Sequence, residues 1–152
     1  MNFDEKICLL KRDAASQEET LKLLANEFYK ADVVNEGFMN GILEREVLYP
    51  TGLLLADGSG VAIPHTDGDK VKRSQIGFLS LNKPVKFYEM GQTQHEIEVD
   101  KIFMLALKEA HEQLETLQNL MNLFMNEELM HRLDLCTAEE QYLEIIKDSG
   151  LE

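Results

Sequence analysis

EVDKIFMLAL (98–107) is the most apolar segment of the chain, and it decides the fold class. Its last six residues are all apolar. Such a run is far shorter than the roughly 18 residues of a membrane span and is typical of a strand with both faces buried. We therefore expect a central strand here, with helices packed on both faces of its sheet.

Further strands are predicted upstream of this segment. Short apolar runs at 52–55 and 60–63 are separated by ADGS, which has the composition of a tight turn and indicates a hairpin. Another strand is expected at 75–81. The triplet NKP (82–84) should break that strand and leave 85–87 as a short edge strand.

The N-terminal part of the chain carries two helical patterns. Ser16 followed by Glu19 is a capping-box signature, and apolar residues then recur every three or four positions as far as Ala31. Asn35 can cap a second helix, which should end before Pro50. The apolar face of this second helix includes one acidic residue and consists of Phe38, Met39, Ile42, Leu43 and Glu46.

Helices return after 98–107. An apolar stripe over 114–124 predicts one helix, and Thr137 with Glu140 predicts a capping box for the last one. The order of helices, strands and helices indicates an α/β protein with a mixed sheet flanked by helices. Because no linker-like or repeated segment divides the chain, residues 1–152 are expected to form a single domain.

Composition and charge restrict the possible partners. The chain has 152 residues, with 15 Lys and Arg against 28 Asp and Glu, and a formal net charge of −13. Nucleic acid or an anionic membrane would need clustered basic side chains, and the densest basic stretch, 70–73, has acidic neighbours. The N-terminus also lacks a secretory signal. We expect a soluble, cytoplasmic protein without nucleic-acid binding or membrane insertion, in which Cys8 and Cys136 are reduced and buried.

A histidine directly follows the second strand of the predicted hairpin, in GVAIPHTD (60–67). Pro64 has a fixed φ and keeps Ile63 extended, so the direction in which His65 leaves the strand is well defined. A neutral imidazole at a strand end can act as a nucleophile, a base or a metal ligand. A surface histidine in a loop has the same pattern, so spacing alone leaves both interpretations open.

Several motifs together resemble one family over nearly the whole chain. These motifs are RE (45–46), PTG (50–52), GVAIPH (60–65), VKF (85–87) and LETL (114–117). At their spacing they resemble the enzyme IIA domains of the fructose–mannitol class of the bacterial phosphoenolpyruvate-dependent sugar phosphotransferase system (PTS). The galactitol-specific branch is the most similar, because of the stretch around Gln113 and the length of the chain.

The resemblance implies a phosphoryl carrier built on a mixed, mainly five-stranded sheet flanked by helices. The histidine at the position of His65 would accept a phosphoryl group on Nε2 from the phosphohistidine of HPr. It would then pass the group to a cysteine or histidine of enzyme IIB. Two alternatives stay open: a regulatory, nitrogen-related enzyme IIA that signals its phosphorylation state by binding other proteins, and a non-catalytic interaction domain.

Three residues are expected to support the phosphoryl group. The planar fork of Arg45 can hold two phosphate oxygens, and the alternative is an ion pair with a neighbouring glutamate on the helix surface. The hydroxyl groups of Thr51 and Thr66 can donate hydrogen bonds, or the two residues can serve in turns and caps. The resemblance implies no cofactor.

One position departs from the family pattern. Mannitol- and fructose-type members have a second active-site histidine immediately before the Leu-x-x-Leu of the following helix, whereas this chain has Gln113 there. His111 lies two residues earlier, which is about 200° away on a helix, so it could replace that histidine only from a loop. We expect Gln113 to face the phosphate. No metal site is expected, because Asp67 and Asp69 lack the rest of a calcium-binding pattern.

Overall fold

Five strands and five α-helices make up the described part of the chain in the computed structural model, which describes residues 2–152 and, of Thr93, the backbone alone. The strands are β1 (Cys8–Arg12), β2 (Gly52–Leu54), β3 (Gly60–Ala62), β4 (Gln75–Glu89) and β5 (Gln92–Ala106). The helices are α1 (Gln17–Lys30), α2 (Phe38–Leu48), α3 (Ala110–Phe124), α4 (Glu127–Leu135) and α5 (Glu139–Ser149).

A long antiparallel hairpin of β4 and β5 organises the sheet. β1 pairs with β4 in parallel, β3 pairs with β5 in parallel, and β2 pairs with β3 antiparallel. Gly52 of β2 also pairs with Glu89 at the far end of β4. The pairings therefore run in a closed circuit through β4, β2, β3 and β5, with β1 added outside β4. This arrangement confirms the predicted class, a mixed five-stranded sheet flanked by helices.

The central strand β5 separates two apolar cores, as the run at 98–107 predicts. Ile102, Met104 and Ala106 pack into the core that α1 and α2 cover, and the alternate residues Phe103 and Leu105 pack into the core beneath α3, α4 and α5. Successive side chains of a strand point to opposite faces, so burial on both sides requires the continuous apolar sequence.

The predicted break at NKP (82–84) is wrong, because β4 continues through these residues to Glu89. Its register with β5 shifts between Ser80 and Val85, so Pro84, which has no N–H, lies where the ladder is interrupted. The expected edge strand at 85–87 instead pairs with 97–99 inside the hairpin, and Phe87 is fully buried.

The predicted N-cap of α1 is confirmed, and the predicted N-cap of α2 is wrong. The Ser16 hydroxyl oxygen accepts a hydrogen bond from the Glu19 N–H (3.1 Å), as predicted for the start of α1. The N-cap of α2 is Gly37 rather than Asn35. Asn35 forms the turn before the helix, where its side-chain oxygen accepts from the Gly37 N–H (3.0 Å).

At the C-terminal end, the predicted capping box of Thr137 and Glu140 does not form. α5 begins at Glu139 after Ala138, and the side-chain oxygen of Gln141 accepts from the N–H groups of Thr137 (2.9 Å) and Ala138 (3.1 Å). Gln141 supplies acceptors for the free N–H groups at the helix start, so no threonine cap is needed.

Both cysteines are free thiols, Cys136 buried and Cys8 half-buried. Burial raises the pKa of Cys8 to about 12, which keeps that thiol protonated and unreactive. Within residues 2–152, no helix has the length and apolar character needed to cross a membrane.

Candidate active site

His65 lies on an extension of β3 along β5. Val61 pairs with Lys101 and Ala62 with Ile102, and a bridge between His65 and Leu105 continues the same offset of 40 residues (101 − 61 = 105 − 65). The Pro64 carbonyl also accepts a hydrogen bond from the Leu105 N–H (2.9 Å). The central strand therefore fixes the backbone that carries the histidine, as its position after a buried strand predicts.

The histidine ring is held in one tautomer. Its Nδ1 lies 2.8 Å from the carbonyl oxygen of Ile63. A carbonyl oxygen only accepts, so Nδ1 carries the hydrogen and Nε2 keeps its lone pair in the neutral ring. Burial, and to a smaller extent the charge of Arg45, hold the pKa of His65 below its usual 6.5. At neutral pH, His65 is therefore a neutral imidazole with a nucleophilic Nε2.

Arg45 extends from the last turn of α2 and acts on His65 through its charge. Its guanidinium carbon lies 5.4 Å from the centre of the Tyr49 ring, and its Nη1 lies 3.9 Å from a carboxylate oxygen of Asp67. The Asp67 side chain is 80% exposed, so this ion pair is weak. The buried Nε has no hydrogen-bond partner among the described residues. Arg45 therefore has donors available to an incoming anion.

A buried carboxyl group, that of Glu46, is connected to the backbone near the histidine through Thr51. Its two oxygens accept from the N–H and the hydroxyl of Thr51, both at 2.8 Å. The Thr51 hydroxyl oxygen in turn accepts from the Ile63 N–H (3.1 Å). The hydroxyl hydrogen of Thr51 is thus committed to Glu46, so in this structure Thr51 supports the backbone near His65 instead of offering a donor to phosphate.

The hydrogen bonds of Glu46 are not predicted from the sequence, although the sequence contains a signal for them. The residue occupies the apolar face of α2, and its side chain is almost completely buried (3% exposed). Burial raises the pKa of its carboxyl to about 7 against the opposing hydrogen bonds from Thr51. An acidic residue on a predicted core face marks a buried polar group that needs partners.

Thr66 packs against α2 at Gly41, where the helix has no side chain. A Cβ atom on Gly41 would lie 2.5 Å from the Thr66 hydroxyl oxygen, so only glycine allows this approach. Thr66 is half-buried, and its hydroxyl makes no hydrogen bond within the described part of the chain. The contact brings α2, and with it Arg45, next to the loop that carries His65.

The start of α3 lies at the same edge of the sheet. A Cβ on Gly68 would lie 2.2 Å from the Lys108 carbonyl oxygen, so the loop after His65 touches the loop that leads into α3. His111 and Gln113 both lie in the first turns of α3, where His111 is exposed and Gln113 half-buried. His111 is therefore not in a loop. Neither residue is hydrogen-bonded to His65 in the described structure.

No group of three or more His, Cys, Asp or Glu side chains that could hold a metal ion occurs among residues 2–152. The chemistry that the site offers is that of an oriented nitrogen nucleophile beside a guanidinium. Such a pair is suited to binding and transferring a dianionic group.

Comparison with known proteins gives a family and several relatives. The family model described as "Phosphoenolpyruvate-dependent sugar phosphotransferase system, EIIA 2" matches residues 1–149. The ascorbate-specific PTS system EIIA component of Escherichia coli (strain K12) is 26% identical over 145 residues, which cover 94% of this chain and 90% of that protein. The galactitol-specific EIIA component of Escherichia coli O6:H1 is 25% identical over 117 residues, 77% of each chain.

A longer relative contains the same region as a part. The mannitol-specific EIICBA component of Escherichia coli (strain K12) is 25% identical over 140 residues, which are 90% of this chain and 21% of that protein. The chain thus spans about a fifth of this multi-component relative.

Solved structures share the fold. PtxA of Streptococcus mutans, assigned as a PTS IIA, superposes with a TM-score of 0.82 at 23% identity and covers 99% of this chain and 94% of its own. Enzyme IIA of the mannitol system of Escherichia coli, solved in complex with phosphorylated enzyme IIB, gives a TM-score of 0.74 at 23% identity, with coverages of 94% and 95%. With the family model matched over residues 1–149, the chain belongs to the EIIA 2 family of the phosphoenolpyruvate-dependent sugar phosphotransferase system, whose members are phosphotransferase components.

Proposed function

We propose that this protein carries a phosphoryl group on Nε2 of His65, accepts it from phospho-HPr and passes it to an enzyme IIB. The observation that supports this most directly is the hydrogen bond from Nδ1 to the Ile63 carbonyl, which leaves Nε2 as the nucleophilic nitrogen. The two partners are proteins of the cytoplasm, so the proposal includes a cytoplasmic location.

The reaction consists of two balanced displacements. In the first, the lone pair of Nε2 forms a bond to phosphorus while the nitrogen–phosphorus bond of the HPr phosphohistidine breaks. In the second, the Nε2–phosphorus bond breaks as a cysteine sulfur or histidine nitrogen of enzyme IIB attacks. Nδ1 keeps its hydrogen throughout, so His65 needs no proton transfer to become nucleophilic.

Arg45 is proposed to stabilise the phosphoryl oxygens during both displacements. Phosphoryl transfer depends mainly on positioning and on charge around the equatorial oxygens. Among the described residues, only Asp67 forms an ion pair with the guanidinium, at 3.9 Å and with high exposure, so an arriving phosphoryl group can displace it. The N–H groups at the start of α3, with Gln113 in its first turns, are proposed to add further donors.

Apolar side chains beside Arg45 support docking of partner proteins. Val47, Leu48 and Tyr49 are 74%, 65% and 64% exposed at the end of α2. An apolar patch next to a reactive group is typical of a protein-binding surface, and a carrier that exchanges partners needs a small, transient one.

The sugar branch belongs to the same proposal. The stretch around Gln113 favours the galactitol branch, which the galactitol-specific relative supports at 25% identity over 117 residues. The ascorbate-specific relative matches over a longer stretch, 145 residues at 26% identity. The enzyme IIB components of these two branches are therefore the first acceptors to assay.

Phosphorylation with purified components tests the carrier role. The protein is incubated with phosphoenolpyruvate, enzyme I and HPr, and acid-labile phosphate on the protein is measured. We expect one phosphoryl group on the wild-type protein, none on His65→Ala, and full incorporation on His95→Ala, in which an exposed histidine outside the site is lost. Full labelling of a folded His65→Ala variant would overturn the proposal.

The acceptor step separates transport from regulation. The labelled protein is mixed with candidate enzyme IIB components, and movement of the label is followed. We expect rapid transfer to one of them. If the protein is labelled but donates to no enzyme IIB, the regulatory interpretation of the sequence replaces the transport role.

A further inference from the structure

We propose that Glu46 and Thr51 are positioning residues that set the tautomer and orientation of His65 through the backbone of Ile63. The inference rests on the proposed function, since it assigns to these two residues a role in the same phosphoryl transfer. Neither residue has an atom directed at the phosphoryl group in this scheme.

Four hydrogen bonds connect the carboxylate to the imidazole. Glu46 accepts from the N–H and the hydroxyl of Thr51 at 2.8 Å each, and Thr51 accepts from the Ile63 N–H at 3.1 Å. Ile63 then accepts from Nδ1 of His65 at 2.8 Å. In the described structure, every hydrogen bond of this series is donated in the same direction. His65 donates to Ile63, Ile63 donates to Thr51, and Thr51 donates to Glu46.

These hydrogen bonds hold Ile63, whose carbonyl group determines the tautomer of His65. On the other side of that carbonyl, Pro64 is held by the Leu105 N–H at 2.9 Å. Ile63 is therefore fixed from both ends, by Thr51 at its N–H and by the central strand beyond its carbonyl. Loss of the Thr51 hydroxyl would release one of these two constraints and leave a buried N–H without its acceptor.

Stability alone does not explain a glutamate at this position. Glu46 is almost fully buried, on the apolar face of α2 and near the end of the helix, where the dipole disfavours negative charge. An apolar side chain would fill the same place without the cost of desolvating a carboxylate. A role in orienting His65 gives this costly group a function, and Arg45 beside it in the sequence serves the same site.

A matched pair of threonine variants tests the proposal. Thr51→Val keeps the shape but removes the hydroxyl, whereas Thr51→Ser keeps the hydroxyl. The readouts are the rate of phosphoryl transfer from phospho-HPr and the nitrogen-15 chemical shifts of the His65 ring, which report the fraction of the Nδ1–H tautomer. Thr20→Val is the control, because it removes a buried hydroxyl hydrogen bond (2.8 Å to the Ser16 carbonyl) in α1.

We expect Thr51→Val to slow transfer about tenfold, the factor that corresponds to one neutral hydrogen bond, and to lower the Nδ1–H fraction. Thr51→Ser should recover most of the rate and the wild-type ring shifts, and Thr20→Val should change neither. A folded Thr51→Val variant with the wild-type rate and ring shifts would overturn the proposal.

A second variant decides the question if Thr51→Val does not fold. Glu46→Gln keeps the size of the side chain but replaces one acceptor oxygen with an amide NH2 group, which only donates, so the two side-chain positions cannot both accept from Thr51. We expect a several-fold slower transfer and altered His65 ring shifts, and wild-type values in both would contradict the proposal. Because ring shifts need no phosphoryl donor, they test the positioning role even if the protein accepts no phosphate, an outcome that would refute only the carrier role.

Discussion

Replacing Glu46 by glutamine should make the stability of the protein much less dependent on pH. The carboxyl has a pKa of about 7 in the folded protein against 4.5 for a free glutamate, because burial disfavours its charged form. Between these two values the folded state binds the proton more tightly than the unfolded state. The stabilising contribution is therefore fully present below pH 4.5 and is lost as the pH rises to about 7.

The size of the effect follows from the same two values. A separation of about 2.5 pH units, at about 1.4 kcal/mol per unit, corresponds to about 3 kcal/mol over the full range. Between pH 5.5 and 8, about 2 kcal/mol of this should be lost in the wild-type protein and not in Glu46→Gln.

Urea unfolding at pH 5.5, 6.5 and 8 measures this difference and avoids the sequence isoelectric point near 4.7. Glutamine also loses a hydrogen bond of about 1 kcal/mol, which shifts its whole curve without changing its slope against pH. The expected result is that wild type loses stability relative to the variant as the pH rises. If the free energy of unfolding changed with pH equally in the two proteins, the pKa of Glu46 would not be raised in the folded state, and the prediction would be wrong.

Three further predictions concern the transfer itself. Arg45→Ala should slow transfer by about 30- to 1000-fold, from ~2–4 kcal/mol of lost charge stabilisation, and raise the pKa of His65; an unchanged rate would make Arg45 a surface residue. Protonation of His65 should slow transfer only below pH 6.5, because the pKa of His65 is lowered; a midpoint above pH 7 in the nitrogen-15 shifts of the ring would contradict this. Gln113→Ala should slow transfer about tenfold and His111→Ala less, and a large, pH-dependent loss confined to His111→Ala would reverse that assignment.

The sequence predicts the fold well where long apolar periodicities decide it. The run at 98–107 identifies the central strand, because burial on both faces requires continuous apolar sequence. It does not predict that β4 continues past Pro84, since whether a proline ends a strand or lies at a bulge depends on the partner strand. The helix caps at Asn35 and Thr137 were wrong because several neighbouring groups compete to satisfy the same free N–H groups.

The candidate site is only partly predictable from the chain. The proline before His65 indicates a histidine of fixed direction, and the motifs indicate Arg45 as its neighbour. The hydrogen bond between Glu46 and Thr51 joins the last turn of α2 to a residue three positions beyond the end of the helix, and no periodicity specifies it. The approach of Thr66 to α2 depends on tertiary packing, so its glycine partner could be identified only in the structure.

The parallel pairing of His65 with Leu105 has a consequence for the order of events on the ribosome. The two residues are separated by 40 positions in the sequence (105 − 65), and the separation is larger for β1, whose Cys8 pairs with Phe78 70 positions later (78 − 8). At about 5–20 residues per second, several seconds pass between synthesis of the histidine and of its ladder neighbour. Throughout that interval the nascent chain contains the imidazole of His65 but not the strand that fixes its backbone, so we expect the proposed phosphorylation to become possible only after β5 has emerged.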